Sequence, residues 1–195
     1  APVIRAIMAG ETHTGVSIIL MSPKMDAGDI LLQSEPISIE EDDTAGEVWS
    51  KLFPVAQRLT AQLVQHLRCG IPLPRRPQDE REATYAPKLQ PDEERIDFTR
   101  TAREVHNLVR ALNPSPGAYT FFRGQEMKIW KTRLTSLPSP FPPGTLWKQE
   151  KRVYVSTADG VLEILQVQRA GRKRLTASDW ALGLKPPLVR ESLGI

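Results

Sequence analysis

Asp26 and Asp29 bracket Ala27 and Gly28 at a junction between two apolar runs, GVSIIL (15–20) and DILLQ (29–33). A hairpin turn is the plain use of such a junction, because Asp and Gly both suit tight turns. The chemical use is a carboxylate presented at the edge of a site, where it could orient and charge a proton-transferring partner. Asp26 is the candidate. Asp29 begins the second run and reads as a turn or cap residue. The three histidines, His13, His66 and His106, all lie far from Asp26 in sequence, and each reads as a solvated or packed residue. There is no Cys–His spacing for a metal, no G-x-G-x-x-G and no P-loop. By its own residues the chain carries half of a site.

A second chemical feature is basic. QRAGRKRLTASD (168–179) gathers Arg169, Arg172, Lys173 and Arg174 around Gly171. Lys128 and Lys131 flank Trp130 in EMKIWKTRL, and Lys148 and Arg152 flank another turn. Cations clustered on a small β domain could track a phosphate backbone. Aromatic residues are thinly interleaved, so recognition of a folded RNA by shape and phosphate fits better than base stacking. The alternative is a solvated basic loop. Charge is unevenly divided: residues 1–89 hold 9 Lys and Arg against 12 Asp and Glu, residues 90–195 hold 17 against 11. An anionic partner is therefore expected for the second half alone.

These residues need elements to hold them. PVIRAIMAG (2–10) has a short helical pattern, and GVSIIL and DILLQ read as strands. Thr44 and Glu47 form a capping box. Val48, Leu52, Val55, Leu59, Leu63 and Leu67 behind it keep helical spacing, with Pro54 expected to kink or split that helix. Five prolines and many charges between 69 and 94 read as an extended, partly stiff linker and a domain boundary. Ala102, Val105, Leu108, Val109 and Leu112 make a helical stripe stopped at Asn113-Pro114. Five β-like runs follow (GAYTFF, EMKIWKTRL, GTLWKQ, RVYVST and GVLEILQVQ), then a short helix from Thr176; this spacing suggests a small barrel or sandwich. With 40% apolar residues and 25% charged the composition is that of a soluble globular protein, and no apolar run reaches membrane-spanning length. A lone cysteine, Cys69, excludes an internal disulfide and fits a reducing compartment such as the cytosol.

APVIRAIMAGETHTGVSIILMSPKMDAGDILL resembles the second half of the catalytic domain of the methionyl-tRNA formyltransferase family. ATYAPKLQPDEERIDF, VRALNPSPGAYTFFRGQEMKIWKT and PGTLWKQEKRVYVSTADGVLEILQVQRAGRKRL resemble that family's linker and C-terminal domain. The resemblance implies α/β plus mostly β architecture. Residues 1–70 would be the C-terminal part of a Rossmann-like domain, 71–94 the linker, and 95–195 a small OB-like barrel that contacts tRNA. It implies formyl transfer from 10-formyltetrahydrofolate to the amino group of initiator methionyl-tRNA, by a cytoplasmic and monomeric protein. Asp26 falls on the family's catalytic Asp, which orients and charges a His. Met21, Ser22, Pro23, Lys24, Met25, Ala27 and Gly28 fall on the loop lining the pteridine pocket.

A related sugar-nucleotide amine formyltransferase would have no use for the basic loop. A glycinamide ribonucleotide formyltransferase lacks the second domain, and a plain RNA-binding module has no reason to keep the acidic turn. The family's Asn-x-His and Ser-Leu-Leu-Pro motifs do not occur; the asparagines are Asn107 and Asn113. The chain thus reads as the C-terminal part of a longer enzyme, inactive alone. Oxyanion stabilisation and proton transfer typically supply several powers of ten. The purified chain is expected to leave charged initiator tRNA unformylated in a product assay, and enzyme-dependent product would overturn this.

Overall fold

A computed structural model describes residues 1–194. Helix α1 (Pro2–Met8) begins with a proline in its first turn, where a missing N–H costs nothing. Four short strands follow: β1 (His13–Thr14), β2 (Ser17–Ile19), β3 (Ile30–Gln33) and β4 (Ile37–Ser38). They make two separate antiparallel pairs, β1 with β4 and β2 with β3. The apolar runs flanking Asp26 are therefore hairpin partners, with Ile19 opposite Ile30. Among the described residues of the first 70 there is no parallel pairing of the kind a Rossmann-like sheet uses. The connection from Leu20 to Asp29 is too short for the crossover that parallel strands need, and it suffices for an antiparallel return.

Helix α2 (Ala45–Cys69) starts as its sequence predicts. Thr44 Oγ1 accepts from Glu47 N, and the Glu47 carboxylate accepts from Thr44 N. It ends at Gly70, in a left-handed conformation that glycine adopts without cost. Val48, Leu52 and Leu59 are buried, but Leu67 is 66% exposed. Pro54 does not split the helix. The carbonyl left without its N–H partner is that of Ser50, and both residues are exposed, so water can satisfy it.

The stretch read as a linker is less free than its composition suggests. It holds 3-10 turns at Glu80–Glu82 and Pro91–Glu94. Arg5 of α1 donates to the carbonyls of Pro87 and Lys88 and forms a two-pronged ion pair with Glu93. That ion pair holds the Glu93 carboxyl down at about 2.

Helix α3 (Ala102–Ala111) follows, then β5 (Tyr119–Phe122), β6 (Gln125–Leu134), β7 (Thr145–Gln149), β8 (Arg152–Ser156), β9 (Val161–Arg169), β10 (Leu175–Thr176), α4 (Ala177–Leu182) and β11 (Arg190–Ser192). The five expected runs all form strands; β10 and β11 join them. Strand order is β11-β7-β8-β9-β6-β5, antiparallel throughout, with β10 beside β9. Gly194 N donates to Phe121 O at 2.6 Å, bringing the two ends of the sheet together into a nearly closed barrel. Met127, Ile129, Leu146, Val153, Leu162 and Ile164 fill it, and Val105 and Val109 of α3 cover it. Asp159, in the turn between β8 and β9, accepts from Ala102 N and caps α3 across the fold.

A smaller core gathers Val3, Ile7, Ile39, Ala45, Val48 and Leu52, together with Ala111 of α3. Next to it the acidic segment 40–43 sits on the polar side of α3. His106, 2% exposed, bonds Thr132 Oγ1 through Nδ1 at 2.9 Å and Glu41 O through Nε2 at 3.1 Å. A carbonyl only accepts, so Nε2 carries the proton and Nδ1 accepts from the hydroxyl. Asp42 lies 3.5 Å from Nε2. Arg110 donates to Asn107 Oδ1 at 2.9 Å, and to Glu40 O and Asp43 O at 3.1 and 3.0 Å.

Burial pushes His106 below the usual imidazole range, and the Glu41 carbonyl and nearby carboxylates only partly offset this. The folded-state value is therefore below the unfolded value. Stability is full above the unfolded value and is lost as pH falls past it toward the folded one. Denaturant unfolding between pH 7.5 and 5.5 is expected to show falling stability, and His106→Gln is expected to flatten that slope. An unchanged slope would mean that His106 is not the titrating group.

Candidate functional site

The loop from Leu20 to Asp29 carries the candidate carboxylate. Leu20 N donates to Asp29 O at 2.8 Å and closes it. Gly28 is required there: a Cβ would stand 1.6 Å from Leu20 O. Asp26 has φ 54°, a left-handed conformation that Asp tolerates better than most residues. Its side chain is exposed, and among the described residues no donor reaches its carboxylate. Met21 and Met25 stand 94% and 87% exposed beside it. Ser22 Oγ donates to Lys24 O at 2.7 Å, Pro23 and Ala27 complete the turn, and Lys24 pairs with Glu80 at 2.8 Å. That hydrogen bond holds the Lys24 ammonium above its ordinary value.

No histidine bonds Asp26. His106 is committed to Thr132 and Glu41, and His13 Nδ1 faces Thr12 Oγ1 at 3.0 Å. The partners of the loop come instead from residues read as linker. Arg76 bridges Ile30, and Gln78 Nε2 donates to the carbonyls of Asp26 and Gly28. The sequence holds a faint signal: Arg76, Gln78 and Glu80 alternate, as one face of an extended strand does.

The basic residues meet on the outside of the barrel. Lys128 and Lys131 are three apart in β6, which regular alternation would place on opposite faces. The β6–β9 register is irregular between Ile129 and Thr132. Met127, Ile129 and Thr132 are buried, whereas Lys128 is half-buried and Lys131 exposed, so both lysines stay out of the core. Trp130, at the irregularity, is a cation platform. The Arg174 guanidinium lies 3.4 Å from its ring centroid and the Lys128 ammonium 5.8 Å. Gly117 lies against that ring so closely that a Cβ would be 2.4 Å from it. Trp130 Nε1 donates to Gln168 Oε1 at 2.9 Å, and Gln168 Nε2 donates to Arg172 O at 2.7 Å, tying the loop to the platform.

Arg169 bonds Gln125, while Arg172 and Lys173 are exposed on the turn at Gly171. In sequence the four loop cations look equivalent and their aromatic support thin. In the structure Arg174 is committed to Trp130. Among the described residues none of these six cations lies within ion-pair distance of a carboxylate. Arg123, Arg133 and Arg152 of the same barrel, by contrast, pair with Glu191 and Glu163.

Residues 1–64 match the family described as formyl transferase, and residues 88–185 match the formyl transferase C-terminal domain. The chain is 39% identical over 193 residues to the methionyl-tRNA formyltransferase of Carboxydothermus hydrogenoformans, covering 98% of this chain and 62% of that protein. It is 37% identical over 185 residues to that of Bacillus subtilis, covering 94% and 58%. It thus spans about 60% of the length of these curated relatives. Two solved structures share its fold at 21% identity. HypX from Aquifex aeolicus in complex with tetrahydrofolic acid has a TM-score of 0.69 over 93% of this chain and 32% of that one. An N-formyltransferase from Helicobacter canadensis, in complex with folinic acid and dTDP-3-aminofucose, scores 0.67 over 86% and 60%. With both of its halves matched, in order, the chain belongs to the formyl transferase family.

Proposed function

We propose that these residues form the Asp26 loop and the RNA-binding barrel of a methionyl-tRNA formyltransferase. The observation that carries this is the set of six cations on β6 and the Gly171 loop, none within ion-pair distance of a carboxylate among the described residues, with Lys128 and Arg174 over Trp130, in a chain whose curated relatives bear that name. A small amine acceptor gives such a face no purpose; a phosphate backbone does. The co-substrate is 10-formyltetrahydrofolate. The loop 21–28 suits one side of a flat ring, offering the apolar surface of Met21 and Met25 beside backbone polar groups. The barrel is of the OB type, and the protein acts in the cytoplasm as a monomer. Residues 1–70 belong with the formyl-transfer domain, 95–195 with the RNA, and 71–94 join them.

In the reaction the methionine nitrogen forms the new amide bond, and the bond from the formyl carbon to N10 of the folate breaks. One proton leaves the amine and one reaches the leaving nitrogen. Asp26 serves as the charge that holds a proton-carrying imidazole in orientation, as the family resemblance implies. That imidazole is not His13, His66 or His106, since none of them is bonded to Asp26.

In a protein of the relatives' full length, Asp26→Asn is expected to lower kcat by roughly 100-fold or more. Melting temperature should hardly move, because Asn suits the same left-handed turn. Lost stability with normal turnover would return Asp26 to a turn residue. The cation face is tested by filter binding of initiator tRNA alongside a sugar nucleotide. Replacing Arg169, Arg172, Lys173 and Arg174 by alanine is expected to weaken binding of initiator and other tRNAs alike. The slope of log K against log salt should flatten by about 0.7–0.9 for each phosphate that the protein no longer neutralises. Unchanged affinity and slope, or preference for the sugar nucleotide, would overturn the RNA reading.

A further inference from the structure

We propose that Gln78 is a positioning residue for the Asp26 loop, acting from an extended brace formed by residues 76–79, which runs into the 3-10 turn that starts at Glu80. This rests on the reading of Asp26 as the reaction's carboxylate.

The loop has little to hold it from within. Beyond the closure at Leu20 and Asp29 it has the Ser22 hydroxyl on Lys24 O and a long 3.5 Å bond from Ala27 N to Lys24 O. Residues 20–26 are exposed, and Asp26 is in a left-handed conformation. Such a segment opens locally at small cost. What fixes the carbonyls of Asp26 and Gly28, on either side of Ala27, comes from outside. The single amide nitrogen of Gln78 donates one proton to Asp26 O at 2.8 Å and the other to Gly28 O at 2.6 Å. The two carbonyls are thereby held together, and with them the backbone from which the Asp26 side chain projects.

Gln78 is itself held on both sides. Two residues earlier, Arg76 exchanges both bonds of an antiparallel bridge with Ile30, at 2.9 and 3.1 Å. Two residues later, Glu80 takes the Lys24 ammonium. Positions 76, 78 and 80 thus lie along β3, the base of the loop and its tip. The Lys24–Glu80 pair is exposed and contributes little alone. Gln78 is the member that touches Asp26's own peptide. Its residue type is specified, because two protons on one nitrogen at this reach are what two adjacent carbonyls require. Glu would set acceptors against acceptors, Leu would fill the space without donating, and Asn would fall one methylene short.

Trypsin reads the loop directly, because the bond after Lys24 lies within it. Cleavage there, followed by mass spectrometry under native conditions, tracks the open population when opening is fast. In the 195-residue chain, Gln78→Leu is expected to raise the rate at this bond by roughly three- to tenfold, and Gln78→Glu by more, with the melting temperature unchanged. In a protein of the relatives' full length, the same variants should lower kcat and leave KM for the RNA unchanged; Asp26→Asn is measured beside them. Unchanged cleavage in both variants overturns the brace. Faster cleavage with normal kcat overturns the positioning role. If Asp26→Asn also turns over normally, the reading of Asp26 has failed as well; if it does not, that reading survives and the proposal for Gln78 alone falls.

Discussion

Arg110 is a buried guanidinium that no carboxylate neutralises by direct bonding, and the junction of the two halves is arranged around it. A buried charge is tolerated only when its donors are satisfied. Here they go to Asn107 and to the carbonyls of Glu40 and Asp43, so the backbone of the acidic segment is ordered as the ligand of a cation. Its side chains remain available outward: Asp43 pairs with Lys51, Glu41 with Arg103, and Asp42 approaches His106. Burial lowers the affinity of both His106 and Arg110 for their protons, the mark of groups kept for geometry. Segment 40–43 leads directly into the Thr44 cap of α2. Fixing it fixes where α2 starts, and Gly46 N then reaches Asn113 O at the end of α3.

From that junction the charges divide into two kinds. Those that join elements are paired or bonded: Arg5 with Glu93, Arg123 with Glu191, and Arg133 and Arg152 with Glu163. Those around Trp130 are not. An unneutralised cluster repels itself, and exposure to water makes that tolerable without supplying a reason for it. Arg174 stacked on Trp130 lowers the freedom of one cation before any partner arrives, and Gln168 ties down the backbone of its neighbour Arg172. Pre-ordering of this kind suits binding to a fixed array of phosphates better than a solvated loop does.

Much of this is legible in the sequence because local signals are strong. The Thr44–Glu47 box sets the start of α2, and the alternating apolar runs of the second half become the barrel. What cannot be read depends on distant pairing. Asp159 caps α3 from 57 residues away. The register irregularity at Trp130, which keeps both lysines outside, belongs to two strands at once. Pro54 reads as a helix breaker until Ser50 is seen to face water. The apolar runs of β2 and β3 read as two strands, but that they pair with each other, antiparallel, is set by the fold. Asp26 is legible as a candidate because its type and its glycine are local; its freedom from partners is not.

The proline-rich connector shows most clearly why composition misleads. Prolines and charges lower the tendency to form regular structure. They also stiffen an extended chain, and a stiff extended chain presents alternate side chains to one surface. Arg76 and Gln78 use that geometry against the Asp26 loop, Glu80 at the start of the next 3-10 turn takes Lys24, and further along Glu93 and the carbonyls of Pro87 and Lys88 receive Arg5. Ile96 N then joins Tyr119 O at the barrel. The same segment therefore touches the candidate carboxylate's loop, the first helix and the edge of the barrel in turn. A flexible linker would let the two halves move independently. One laid down at three successive places fixes the backbone between them, and the prolines and charges that look like disorder sit in the segment that makes those contacts.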